Sequence, residues 1–237
     1  RAPQARRVRV AIPDPGESND ASAGTTAAPG TALTGLRGLT KDLEPAAGGW
    51  WGADVAEALP GRDYGFLLDE DEQVLPDPRS RRQPDGVHQP SRFYADDFTW
   101  HDLEWPGHGL PDSVIYEVHI GTFTPGGTFD AAIDRLDHLV ALGVTHLEIL
   151  PVNAFDGQWN WGYDGVLWYA VHEAYGGPDG LKRLVDACHV AGRAAALDVG
   201  YSHLRAAGNY PSRSGPYLTA GRDSGGQLAT TAGEMAA

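Results

Sequence analysis

The chain has 237 residues, 41% of them hydrophobic and 21% charged, with a formal charge of −14. This is globular composition with room for one large domain or two modest ones. The acidic balance argues against a nucleic-acid or anionic-membrane partner, which would need clustered Lys and Arg, and no apolar run is long enough to span a bilayer.

The single cysteine, Cys188, allows no intramolecular disulfide, which fits a reducing, cytoplasmic compartment. It falls on the apolar face of an expected helix and reads as core. The opening residues, Arg1 to Arg7, lack the apolar segment of a signal peptide. There is also no initiator Met, so the chain is expected to begin inside a longer protein.

In chain order, residues 1 to about 105 read as all-β. Val8 to Ile12 alternates like a half-buried strand. A Gly/Ala/Ser/Thr/Pro-rich stretch, Asp14 to Thr34, reads as a mobile loop. Trp50–Val55 and Asp63–Leu68 are further strands between turn residues, a spacing that suggests a small β-sandwich. The proline-rich segment Leu75–Ser91 reads as an ordered connector, and a Trp-rich bridge, Trp100–Pro111, leads to the second part.

From Asp112 the period changes. Val114–Ile120 is a strand. Phe129, Ala132, Ile133, Leu136, Leu139 and Val140 recur at helical spacing, with Thr128 as N-cap and Gly143 closing the helix. Val144–Val152 is a second strand, followed by a loop of about 25 residues that is too long for a simple βα connection. Pro178 opens a second helix through Leu181, Leu184, Val185 and Cys188, which ends near Gly192. Ala194–Val199 is a third strand. The order βαβαβ makes a parallel sheet, doubly wound or barrel, with chemistry at the carboxyl ends of its strands.

The third end reads Asp198-Val199-Gly200-Tyr201-Ser202-His203. It stops short of a nucleophile elbow, since Leu204 replaces the second glycine and no acid-then-His pair follows. Zinc-binding and nucleotide-binding spacings are also missing, so no metal and no cofactor are expected. The long loop is aromatic: Phe155, Trp159, Trp161, Tyr163, Trp168, Tyr169 and Tyr175, with Asp156 and Asp164. Aromatic faces bind the apolar faces of sugar rings, and carboxylates accept from sugar hydroxyls. Trp168 and Tyr169 read as packing residues. Trp161 and Tyr163, among glycines at a strand end, fit packing and ligand contact equally.

The stretches "YEVHIGTFTPGGTFDAAIDRLDHLVALGV", "LEILPVNAFDGQWNWGYDGVLWYAVHEAYGGPDGLKRLVDACH", "LDVGYSH" and "GNYPSRSGPYLT" together resemble the maltooligosyltrehalose trehalohydrolases of the α-amylase family of glycoside hydrolases. The resemblance implies an α/β fold: an Ig-like N-terminal β-sandwich over 1–105, related to carbohydrate-binding modules and including its connector. The first three strands of a (β/α)8 TIM barrel would follow over 106–237, with a tail at 220–237 outside the pattern. It implies hydrolysis of the α-1,4 bond next to the trehalose end of maltooligosyl trehalose, by a retaining mechanism that uses two carboxyl groups ~5–5.5 Å apart.

Carried onto this sequence, the resemblance makes Tyr163 the tyrosine that stacks on the −1 sugar and His203 the donor to a −1 hydroxyl. Asp198 orders the strand-end network, and Asp164 helps position it. The partner implied is maltooligosyl trehalose or another α-glucan; oligomeric state is open. Two departures stand out. Gly200 takes the place of a valine and is expected to weaken the strand. Ser202 takes the place of an asparagine that in many relatives helps ligate calcium. The nucleophile Asp and acid/base Glu motifs correspond to no residue here, so the expectation is an inactive fragment whose barrel sheet exposes an edge and an apolar face. The rival readings are another α-amylase-family enzyme such as a glycogen branching enzyme, a non-catalytic glucan-binding protein, and the product of a broken gene.

Overall fold

The structure is a computed structural model that describes residues 1–15, 37–201, 207–215, 218–219 and 227–228. Most of the stretch read as a mobile loop lies outside these residues, as do Ser202 and His203.

The N-terminal region is β-structure. Strand β1 (Val8–Pro13) lies between β2 (Gly38–Asp42) and β5 (Asp63–Leu68), antiparallel to both, and β6 (Ser91–Arg92) extends the β5 edge. A separate hairpin joins β3 (Glu44–Ala46) to β4 (Trp50–Gly52). Strand β5 matches its expected limits. The strand expected over Trp50–Val55 stops at Gly52. Strand β1 is buried at five of its six positions rather than alternately, because it is central in its sheet and covered on both faces.

The connector is ordered. It and the Trp-rich bridge are bound to the second part by side chains. Arg82 pairs with Glu173 at 3.0 Å, and the Tyr94 hydroxyl donates to Asp179 at 2.6 Å. His101 meets Asp186 at 2.8 Å, and His189 meets Asp102 at 2.6 Å.

The second part follows the βαβαβ order. Strands β7 (Ile115–Val118), β8 (His146–Ile149) and β11 (Ala194–Leu197) form a parallel sheet with β8 in the centre. All three strands are shorter than expected. The first is cut short because Ile120 opens the one-turn helix α1 (Ile120–Phe123).

The first expected helix is two: α2 (Phe129–Ile133) and α3 (Leu136–Ala141). The helix tightens between them, where the Arg135 N–H bonds to Ala132 O, three residues back. Thr128 caps α2 by accepting from Ala131 N–H at 3.2 Å, and Gly143 follows α3 with φ +80°. The long loop is partly regular: β9 (Asn153–Ala154) pairs with β10 (Leu167–Val171), which buries Leu167 and Ala170, a spacing of three that carries no period-two signal. Helix α4 (Gly177–Val190) carries Pro178 in its first turn.

One face of the parallel sheet carries the core. Leu147 and Ile149 pack with Phe129, Leu136, Leu139, Leu184 and Cys188 from the helices. Burial pushes the Cys188 thiol up to about 12. The other face is not simply apolar. Ile115 is exposed there, but Glu117 and Glu148 stand side by side in register. The remaining described elements are two short 3₁₀ helices (Ala47–Gly49 and Glu173–Tyr175), α5 (Pro211–Ser214) and the pair β12 (Leu218–Thr219) and β13 (Gln227–Leu228).

Candidate functional site

The carboxyl ends of β7, β8 and β11 deliver His119, Leu150-Pro151 and Asp198 to one edge of the sheet. The turn Asn160 to Asp164, in the segment between β9 and β10, lies over that edge. It touches all three ends.

At the β11 end, the Tyr163 hydroxyl donates to Asp198 Oδ2. That bond is the main reason the Tyr163 phenol is pushed up to about 12, since ionising it would set an anion against the carboxylate. Glu117 and Glu148, facing the same space, push in the same direction. The ring is 42% exposed, so it is held by its hydroxyl while remaining open to a ligand.

At the β8 end, Gly162 has φ +100°, and a Cβ there would lie 2.2 Å from the Pro151 carbonyl oxygen. Only glycine permits this approach. At the β7 end, His119 Nε2 bonds to the Asn160 carbonyl at 2.7 Å, and its ring meets Trp161 edge to face at 4.9 Å. A carbonyl only accepts, so Nε2 carries the proton.

The structure thus brings together four of the five residues expected at a site. Tyr163 and Asp198 are bonded. Trp161, 65% exposed, is one position before Gly162. Asp164 accepts from Asn160 Nδ2 at 2.9 Å. The fifth, His203, lies outside the described residues. Gly200 lies beyond the end of β11 and so weakens no strand; an ideal Cβ there would sit 3.4 Å from the Tyr163 ring. The small residue leaves space beside Tyr163.

Other aromatic residues divide differently from expectation. Phe155 and Tyr175 are buried in the core, Phe155 stacked on His172 at 3.7 Å. Tyr169 is 57% exposed rather than packed, and the Arg79 guanidinium stands 5.2 Å from its ring and 5.3 Å from that of Trp50. Asn160 and His119 were missed. An Asn two residues before a Gly is a turn signal, and His119 follows the first strand directly. No group of three or more His, Cys, Asp or Glu among the described residues could hold a metal ion.

An acidic and aromatic cluster at the carboxyl edge of a parallel sheet, beside a long βα loop, has the layout of a barrel enzyme's binding edge. The family model for the alpha-amylase catalytic domain matches residues 73–215, and the chain belongs to that family. It is 57% identical over 178 residues to the malto-oligosyltrehalose trehalohydrolase of Rhizobium sp. strain M-11, covering 75% of this chain and 30% of that one. It is 50% identical over 215 residues to the enzyme of the same description from Mycobacterium tuberculosis, covering 87% and 36%. Among solved structures, one described as an alpha amylase from Salmonella typhimurium superposes with a TM-score of 0.81 at 36% identity. It covers 96% of this chain and 35% of that one. The chain spans about a third of the length of these relatives.

Proposed function

We propose that these 237 residues supply the sugar-binding flank of a glycoside hydrolase. It would cleave the α-1,4 bond next to the trehalose end of maltooligosyl trehalose and release trehalose. The observation that carries this reading is Tyr163: a half-open ring at the carboxyl edge of the parallel sheet, fixed through its hydroxyl to Asp198. Identity of 50–57% to trehalohydrolases over most of the chain supports the choice of substrate.

In this reading Tyr163 stacks on the sugar at the −1 position, Trp161 extends the aromatic surface, and His203 donates to a sugar hydroxyl. Asp198 and Asp164 hold the network in place. Residues 1–105 are an Ig-like β-sandwich of carbohydrate-binding-module kind with its connector, a division supported by the β2-β1-β5-β6 sheet. Residues 106–237 carry the first three strands of a (β/α)8 barrel, with 220–237 outside the family pattern. A cytoplasmic location accords with a single cysteine, which allows no intramolecular disulfide.

The family resemblance assigns the nucleophile and the acid/base to no residue of this sequence. The chain by itself therefore binds α-glucan without cleaving it. Calorimetry with maltotetraose, together with an assay for trehalose release from maltotriosyl trehalose, tests both halves. Binding that is lost in Tyr163→Ala, with no trehalose released, is the expected result. Absence of binding refutes the glucan reading, and trehalose release refutes the inactive one.

A further inference from the structure

The Tyr163 turn is closed from within and moored from without by one residue. Asn160 Oδ1 accepts from the Gly162 N–H at 2.8 Å and from the Asp164 N–H at 3.4 Å, while Nδ2 donates to Asp164 Oδ2 at 2.9 Å. An asparagine bonding to the backbone two residues ahead sets the turn's curvature without help from a strand ladder. The Asn160 carbonyl points the other way. It accepts from His119 Nε2 at 2.7 Å and from the Tyr175 hydroxyl at 3.4 Å. Tyr175 is buried in the core that carries the sheet, so this mooring is rigid.

We propose that Asn160 and His119 are positioning residues that hold the Tyr163 ring where a sugar can stack on it. Asn160 fixes the turn's shape, and His119 ties that shape to the end of β7. With Gly162 against Pro151 and Tyr163 on Asp198, one turn is then referenced to three strand ends. The glucan-binding consequence rests on the function proposed above; the effect on Tyr163 itself does not.

A turn that merely packed would tolerate any side chain at 160 that fills the same volume. A positioning turn distinguishes Asn from Asp by chemistry. Asn160→Asp keeps the oxygen that accepts from Gly162 but sets a second carboxylate against Asp164, and two ionised carboxylates that close repel each other. The variant is therefore expected to lose function at neutral pH and regain it where the pair shares a proton. His119 keeps its Nε2–H when protonated, so the mooring survives the same acidification. The Tyr163–Asp198 bond and the carboxylates of Glu117 and Glu148 are common to variant and wild type, so the comparison cancels their own titration.

The test uses the full 237-residue chain with maltotetraose as the probe and fluorescence of the exposed Trp161 as the signal. Asn160→Ala is expected to weaken binding about tenfold at pH 7.5. Asn160→Asp should match it at pH 7.5 and recover most of the loss at pH 4.5. His119→Gln, which can still donate to the carbonyl, should bind within about threefold of wild type, and His119→Ala should not. A second readout is independent of sugar: tyrosinate absorbance after a rapid jump to pH 11, assigned with Tyr163→Phe. The Tyr163 phenol, held up to about 12 in the wild type, should remain protonated there and ionise in Asn160→Ala. If maltotetraose does not bind the wild type, the glucan reading fails and the absorbance readout decides the positioning role alone. Equal Tyr163 ionisation in wild type and Asn160→Ala overturns the inference, as does an Asn160→Asp defect that is the same at both pH values.

Discussion

Gly162→Ala against Gly157→Ala separates backbone strain from close approach within one loop. Both glycines have positive φ, +100° and +89°. An alanine at either pays the left-handed penalty of about 1–2 kcal/mol. At Gly157 nothing lies within 4 Å of the added Cβ, so the effect ends there. At Gly162 the Cβ would meet the Pro151 carbonyl oxygen at 2.2 Å and its carbonyl carbon at 2.9 Å. Those are backbone atoms at the end of a buried strand, and no side-chain rotation relieves the contact. Overpacking of this kind adds roughly 1–3 kcal/mol. The turn is free to lift only by breaking the His119–Asn160 and Tyr163–Asp198 hydrogen bonds. Chemical denaturation should therefore show Gly162→Ala destabilised by about 2–5 kcal/mol and Gly157→Ala by about 1–2. Ionisation of the Tyr163 phenol should move toward the ordinary tyrosine range in Gly162→Ala only. Equal destabilisation of the two variants, with the phenol unmoved in both, would refute the close-approach argument.

Three further outcomes follow from the core. Burial against Phe155 lowers the His172 pKa to about 4, so between pH 6.5 and 4 the unfolded chain binds a proton that the folded one does not. Stability should fall by ~3 kcal/mol across that window and level off below it, and His172→Phe should flatten the profile in denaturation curves at pH 7 and 4.5. Phe129→Ala removes a ring with 0% exposure from the main core and should cost about 3–5 kcal/mol by the same measurement. Cys188 should resist a thiol-reactive disulfide reagent in the native protein and react fully in denaturant, because its thiol is buried and pushed up to about 12. Rapid native labelling would contradict its place in the core.

The alternation of strand and helix was legible because its signals are local. Thr128 caps a helix from one residue before it, Pro178 sits in the first turn of α4, and β5 covers the same six residues in sequence and structure. Illegible were the breaks that depend on neighbours: the tightening at Arg135 and the pairing of β9 with β10. Tyr163 and Asp198 were nameable as candidate site residues through the family resemblance, whereas residue chemistry alone left Trp161 and Tyr163 divided between packing and ligand contact.

The sequence by itself determined the βαβαβ alternation of the second part, the capping Thr128 and the presence of an aromatic, acidic segment after its second strand, since each follows from periodicity or from chemistry within a few residues. Tertiary structure alone decided that His119 and Asp198 meet the same turn, at Asn160 and Tyr163. They are far apart in the chain, and the parallel register of β7, β8 and β11 brings their strand ends level. The same register turned Gly200 from an apparent defect in a strand into space beside Tyr163. A strand's length is written in its own residues, but what stands opposite its end is set by the sheet.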